Sequence, residues 1–231
     1  MLSKMFTGLI DTVASQCQVC RQWPAHAICE DCVNQFAQPQ PRCLTCALPV
    51  PAGLTQCGAC LKAPPPLDQC LAAVDYAYPW SNLIADFKFR SHTGLAHHLA
   101  KLLKASPWVE PTLDEADVLL PMPLSKERLA ERGYNQALLL AKALCPAKTQ
   151  PEVLLRLLHT PAQHTLGRSE RLHALDHAFT LEPFLAAGLS GAHVVLIDDV
   201  MTTGASLYAA AQVLRSGGVK RITGMVFART C

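Results

Sequence analysis

The chain has 231 residues, half of them hydrophobic and 16% charged, with a formal net charge of +2 at pH 7. That length suits one α/β domain plus a small accessory module, and the near-neutral balance excludes the global basic field of an obligate nucleic-acid binder. No run of about 18 apolar residues occurs, which argues against membrane insertion as a helical span.

In chain order, residues 1–15 carry one early basic residue, Lys4, and an apolar run broken by Thr7, Gly8 and Asp11. They are expected to form a short amphipathic helix rather than a secretory leader, so a cytoplasmic location is expected. Four CxxC pairs follow: Cys17 and Cys20, Cys29 and Cys32, Cys43 and Cys46, Cys57 and Cys60, separated by eight, ten and ten residues. One CxxC turn offers two thiolates to a metal and two turns complete a tetrahedral site, so eight cysteines suggest two structural Zn²⁺ ions. Sequential pairing makes two zinc ribbons, 17/20/29/32 and 43/46/57/60, whereas an interleaved cross-brace uses the same spacing. A disulfide scaffold competes for so cysteine-dense a segment, but the lack of secretory features argues against it; a redox role for one CxxC is a further alternative. Cys70, Cys145 and Cys231 follow no metal spacing and read as core or surface thiols. Pro64, Pro65 and Pro66 form a stiff linker, which sets the expected boundary between a zinc module at 1–66 and an α/β domain at 67–231.

Past that linker, residues 71–76 read as a strand, 81–89 as a helix containing Lys88, and 94–104 as a second helix. Residues 107–117 look like a polar, proline-punctuated connection, and 118–120 like the next strand. The strand leads into PMPLSKERLAERGYNQALLLAKAL, where Ser125 is a candidate N-cap and Leu129, Leu138, Leu139 and Ala143 make an apolar helical face interrupted at Gly133. Lys126, Arg128 and Arg132 cluster beside this turn and suit pyrophosphate, which Arg grips bidentately; a solvated face with Glu127 and Glu131 as partners is the alternative. Residues 153–157 read as a strand, and Thr160, Gln163, Arg168 and Arg171 populate a polar loop and helix start. Strands at 179–181, 194–197 and 222–227 complete an alternation with helices that implies a mostly parallel sheet with flanking helices.

The segment VVLIDDVMTTGAS at residues 194–206 has the most specific chemistry. Its apolar run is that of a strand buried on both faces, with Asp198 and Asp199 expected at the carboxyl end, where open α/β sheets bind ligands. A helix over 205–215 turns its N-terminus to the same crevice, and free N–H groups there favour an anion. Gly204 admits close backbone approach, while Thr202, Thr203 and Ser206 supply hydroxyls. Two acids repel phosphate but suit ribose hydroxyls and Mg²⁺, so the segment fits a phosphorylated sugar. An ordinary capped helix is the plain alternative.

This pattern resembles the phosphoribosyl-pyrophosphate (PRPP) motif of type I phosphoribosyltransferases. By that resemblance Asp198 and Asp199 hold the ribose 2′- and 3′-hydroxyls, Met201, Thr202, Thr203, Gly204, Ala205 and Ser206 cradle the 5′-phosphate, and Mg²⁺ accompanies PRPP. The whole chain resembles the ComF/GntX family, associated with competence and DNA utilisation in bacteria. The CxxC pairs, Phe87-Lys88-Phe89, the blocks Pro121-Met122-Pro123-Leu124 and Arg132-Gly133-Tyr134-Asn135-Gln136, and the Asp198 to Ser206 segment carry the likeness. Thr160, Gln163, Leu166 and Arg171 fit a further family pattern, in which His173 and Ala174 replace Arg and Asn. Lys88, Lys126, Arg128, Arg132, Gln163 and Arg171 are thus the candidate pyrophosphate or substrate contacts. The resemblance implies a phosphoribosyltransferase-like fold with an N-terminal Cys₄ zinc-ribbon module, and transfer of phosphoribose from PRPP to an unidentified acceptor. A non-catalytic adaptor is the alternative, handling single-stranded DNA or DNA-uptake proteins with PRPP as ligand or signal. A transferase-fold repressor is a third reading, and no recognition helix supports it.

Overall fold

Continuous apolar runs make strands that must be covered on both faces, and four of them form the central sheet. The computed structural model describes residues 15–157 and 178–231. Gln163, Arg168, Arg171 and the expected N-terminal helix lie outside the described residues. Strands β1 (Gln69–Asp75), β2 (Val118–Pro121), β5 (His193–Met201) and β6 (Arg221–Arg229) are ordered β1-β6-β5-β2, and every neighbouring pair is parallel. Short strands β3 (Leu154–Arg156) and β4 (Phe179–Leu181) pair antiparallel in a separate ribbon, and a four-residue helix, α8 (Pro183–Ala186), follows β4.

Successive residues of β5, from Val194 to Ile197, are all fully buried, so neither sheet face meets water. Val118, Leu120, Val194, Leu196 and Val226 share one core with the inner side of helix α9 (Ala205–Ser216). On β6, Phe227 meets Trp80 edge to face at 5.8 Å; Trp80 opens helix α3 (Trp80–Phe89). Helix α4 (Leu95–Lys104) packs on β1, β6 and α7 (Gln136–Leu144), and α7 packs on β2 and β5.

The chain divides into two compact units, one ending at Gln38 and the other running from Pro39 to Cys231. In the first, Ser15 bridges Ala25 and helix α1 (Glu30–Phe36) follows Cys29, with Cys17, Cys29 and Cys32 buried beside Val19, Ile28 and Phe36. The second contains the other cysteine quartet, helix α2 (Gly58–Lys62) and the sheet. Cys43, Cys46 and Cys60 share a buried cluster with Leu67, Cys70, Met201 and Ala205, so the second quartet packs within the unit that carries the sheet.

Two elements differ from expectation. Residues 107–117 are not a plain connection, since helix α5 (Val109–Glu115) forms after Trp108 takes a left-handed φ of 68°. Pro111 lies in its first turn, where a missing N–H costs no intrahelical bond, and Val109, Thr112 and Leu113 are buried. The strand expected at 194–197 extends to Met201, because β6 offers a ladder as far as Met201 opposite Arg229. Asp198 and Asp199 are therefore the last part of β5 rather than residues just beyond it.

Candidate functional site

All four parallel strands end on one edge of the sheet, and β5 brings its acids there. Asp199 is 5% exposed and its Oδ1 is 3.0 Å from the Lys88 ammonium. Its Oδ2 is buried with no hydrogen-bond partner. Asp198 Oδ1 accepts the Asp199 backbone N–H at 2.9 Å. Burial and the adjacent Asp199 charge push the Asp198 carboxyl up to about 7, against the opposing pull of Lys88. Asp198 therefore gains from any positive charge that arrives at this edge.

Beyond Met201, the turn closes at Gly204, whose φ of +85° is left-handed and whose added Cβ would lie 2.5 Å from both Met201 Cε and Tyr208 Cζ. Glycine is thus required for conformation, and a Cβ would also have to displace the ends of the Met201 and Tyr208 side chains. Helix α9 starts at Ala205; Thr203 Oγ1 accepts the Ala205 N–H at 3.4 Å, and no side chain of the N-cap residue caps the helix. Thr202 is exposed, while Thr203 and Ser206 are half-buried. The turn thus leaves hydroxyls and helix-start N–H groups on the edge that carries the acids.

The sequence blocks flanking Lys88 and Gly133 meet in space. Phe87 is fully buried and anchors α3. Its carbonyl accepts the Tyr134 hydroxyl, and Lys88, next in the chain, reaches Asp199. Phe89 is exposed, with the Arg132 guanidinium 5.1 Å from its ring centroid. Ser125 caps helix α6 (Lys126–Arg132) by accepting the Arg128 N–H at 3.3 Å, and Gly133 ends it at φ 77°. Asn135 caps α7 by accepting from Leu138 and donates to the Met122 carbonyl at 3.0 Å. Arg132 donates to Gln136 Oε1 at 3.0 Å, so it is engaged in holding this block together. Lys126 is exposed and Arg128 half-buried.

Both cysteine quartets assemble, and in sequential pairing: Cys17, Cys20, Cys29 and Cys32 in one cluster, Cys43, Cys46, Cys57 and Cys60 in the other, with the four sulfurs of each within 4.8 Å of one another. A Zn–S bond of about 2.3 Å makes the sulfur–sulfur edge of a tetrahedron about 3.8 Å. Observed separations are 3.9 Å for Cys17 and Cys32, 3.6 Å for Cys20 and Cys29, and 3.7 Å for Cys46 and Cys57, and the cysteines are not disulfide-bonded. The donor sets therefore fit a tetrahedral thiophilic ion, as zinc ribbons do. Burial raises the Cys17 thiol, but N–H donors from Cys29, Cys20 and Val19 outweigh it and bring it to about 6; the Cys57, Cys46 and Thr45 N–H groups bring Cys43 to about 7 in the same way.

Two residues escaped sequence reasoning. Arg156, half-buried at the end of β3, lies 5.3 Å from the Phe179 ring centroid. Burial and the Arg128 charge lower its pKa while Asp198 and Glu127 oppose them, so it belongs to the electrostatic surroundings of the acids. Arg229, 4% exposed at the end of β6, donates through Nε to the Cys46 carbonyl at 2.8 Å and through Nη1 to the Met201 carbonyl at 3.0 Å, and also to the carbonyls of Thr202 and Thr230. Each sits as a single charge in an apolar run, a signal too weak to separate from a strand end.

A parallel sheet with paired acids, a left-handed glycine turn and a helix start at one edge defines the phosphoribosyltransferase class of fold, and the description "Phosphoribosyl transferase domain" matches residues 168–230. The chain is 32% identical to "DNA utilization protein YhgH" of Escherichia coli over 228 residues, covering 95% of this chain and 99% of the relative. It is 33% identical to "Competence protein F" of Haemophilus influenzae over 205 residues, with 85% and 88% coverage, and 37% identical to "Competence protein ComFC" of Bacillus subtilis over 135 residues, with 58% and 53%. The chain belongs to the ComF family. Among the described residues no helix is long and apolar enough to cross a membrane.

Proposed function

We propose that the chain binds PRPP at the carboxyl edge of the sheet and transfers its phosphoribosyl group to an acceptor still to be identified, in a process of DNA utilisation such as natural competence. The observation that carries this reading is the Asp198 and Asp199 pair on β5 followed at once by the Gly204 turn and the start of α9. The turn offers hydroxyls and N–H groups to a 5′-phosphate, and the acids accept from ribose hydroxyls. When the C1′–O bond to pyrophosphate breaks, the electron pair leaves with pyrophosphate and positive charge grows on the ribose, next to carboxylates that gain from it. Lys88, Lys126, Arg128 and Arg156 are the cations available to the leaving group; Gln163 and Arg171 remain proposals from the family pattern alone. The buried, unpartnered Asp199 Oδ2 is a fitting oxygen for a magnesium ion brought with PRPP, which would neutralise pyrophosphate charge. Two Zn²⁺ ions in the Cys₄ clusters complete the proposal, as structural staples.

Calorimetry with PRPP and Mg²⁺ tests the reading, comparing native protein with an Asp198→Asn, Asp199→Asn variant of verified metal content. Binding that the variant loses supports it, and acceptor-dependent pyrophosphate release would establish turnover. Absence of PRPP binding by folded native protein refutes it.

The adaptor alternative has its own observation: Phe89 is 66% exposed with the Arg132 guanidinium over its ring, a place where an unpaired base can stack. Its signature is oligonucleotide binding that falls steeply with salt without pyrophosphate release.

A further inference from the structure

Arg229 is an arginine buried without a carboxylate. Among the described residues no Asp or Glu forms an ion pair with it, and its donors go to carbonyls of Cys46, Met201, Thr202 and Thr230. A guanidinium does not give up its proton, so a buried one needs either excellent carbonyl satisfaction or a nearby anion. Both are present if the Cys43, Cys46, Cys57 and Cys60 quartet holds a divalent ion, because four thiolates around a 2+ ion leave a net charge of 2−. The same residue then spans two places that the chain keeps far apart in sequence: the cysteine knuckle at Cys46, and the end of β5 at Met201 with Thr202, the first residue of the loop before α9.

Other contacts run along the same line. Met201 Sδ lies 3.6 Å from Cys70 Sγ, the Cys70 N–H donates to the Leu44 carbonyl at 2.7 Å, and Cys43, Cys46 and Cys60 share one buried cluster with Met201 and Ala205. The first quartet belongs to the unit ending at Gln38, with a buried cluster of its own. Only the second lies in the unit that carries the loop.

We propose that Arg229 is a positioning residue, coupling the state of the second Cys₄ cluster to the conformation of the loop at residues 201–206. The coupling stands on geometry alone; its functional meaning rests on the PRPP reading. Loading of the second cluster then sets the loop, whereas loading of the first does not.

Amide hydrogen exchange on the full chain tests this, with residues 194–197 of β5 as the internal report on global folding. Arg229→Met should speed exchange at 201–206 at least tenfold while 194–197 stay protected, and weaken PRPP binding at least tenfold. Arg229→Lys, which keeps the charge but reaches fewer carbonyls, should fall between. Cys57→Ser should open the loop as Arg229→Met does, and Cys20→Ser, in the first cluster, should leave it closed, with zinc content measured for each. Unchanged loop exchange in Arg229→Met overturns the proposal, as does equal opening by Cys57→Ser and Cys20→Ser, or equal loss of protection at 194–197, which would make Arg229 a plain core staple. Loop exchange that follows the second cluster in a protein that does not bind PRPP upholds the coupling and sinks the PRPP reading instead.

Discussion

Replacing Asp198 by Asn should make the protein more stable at and above neutral pH while removing the PRPP binding proposed for this edge. Unfolded, the carboxyl ionises near 3.8; folded, it is pushed up to about 7 by burial and by Asp199. Between those values the folded chain holds a proton that the unfolded chain has lost, so this group's contribution to stability falls as pH rises through the window and levels off above about 7. The interval spans about three pH units, or about 4 kcal/mol as an upper bound. Asp198 is half-buried, and solvent screening brings the figure to about 2 kcal/mol. Asn has the same shape without the ionisation. For a chain of this length, 2 kcal/mol corresponds to about 4–8 °C in Tm. Urea titrations of both proteins from pH 5 to pH 8 read the difference, since titrating groups remote from Asp198 cancel. An advantage of the variant that grows by about 1 kcal/mol or more across that range supports the reasoning. A flat difference, or a variant less stable at pH 8, would show that the native carboxylate carries no ionisation penalty.

Lys88→Met removes the ion-pair partner of buried Asp199 and should cost about 3 kcal/mol at pH 8, measured by chemical denaturation. Adding Asp199→Asn should recover most of that loss, and an additive double variant would show that the pair is uncoupled. Gly204→Ala sets a Cβ 2.5 Å from Met201 and Tyr208 at a left-handed φ, so a loss of about 2–4 kcal/mol is expected in thermal unfolding, together with weaker PRPP binding. Ser125→Ala removes the cap of α6 and should cost about 1 kcal/mol without altering metal content. Metal analysis of purified protein should return two zinc ions per chain, and Cys29→Ser should lower this to one.

Much of this was legible beforehand, because apolar runs and cysteine spacing are local signals. Residues 179–181 form a strand with the expected bounds, although it pairs antiparallel outside the central sheet, and Ser125 and Gly133 marked the start and end of α6 by their chemistry. The pairing of the cysteines was not legible, since sequential and interleaved arrangements share one spacing and only folding brings four sulfurs together. Helix α5 hid behind Pro111, whose reputation as a breaker does not apply in a first turn. The length of β5 depended on a partner strand, as ladders always do. Arg229 was invisible for a different reason: its role is made of backbone carbonyls, which every residue carries.

Strand β1 lies at one margin of the sheet, where unpaired backbone groups would normally invite another chain. Residues 40–47 occupy that margin, with Leu44 accepting from Cys70 and with Gln40 and Arg42 both bound to Asp75. The second cysteine knuckle therefore acts as a cover as well as a fastening. If the quartet holds the zinc proposed for it, removing that metal should do more than loosen a loop: it should uncover a sticky strand and send the protein into aggregates. Strong chelators are then a colloidal hazard first of all.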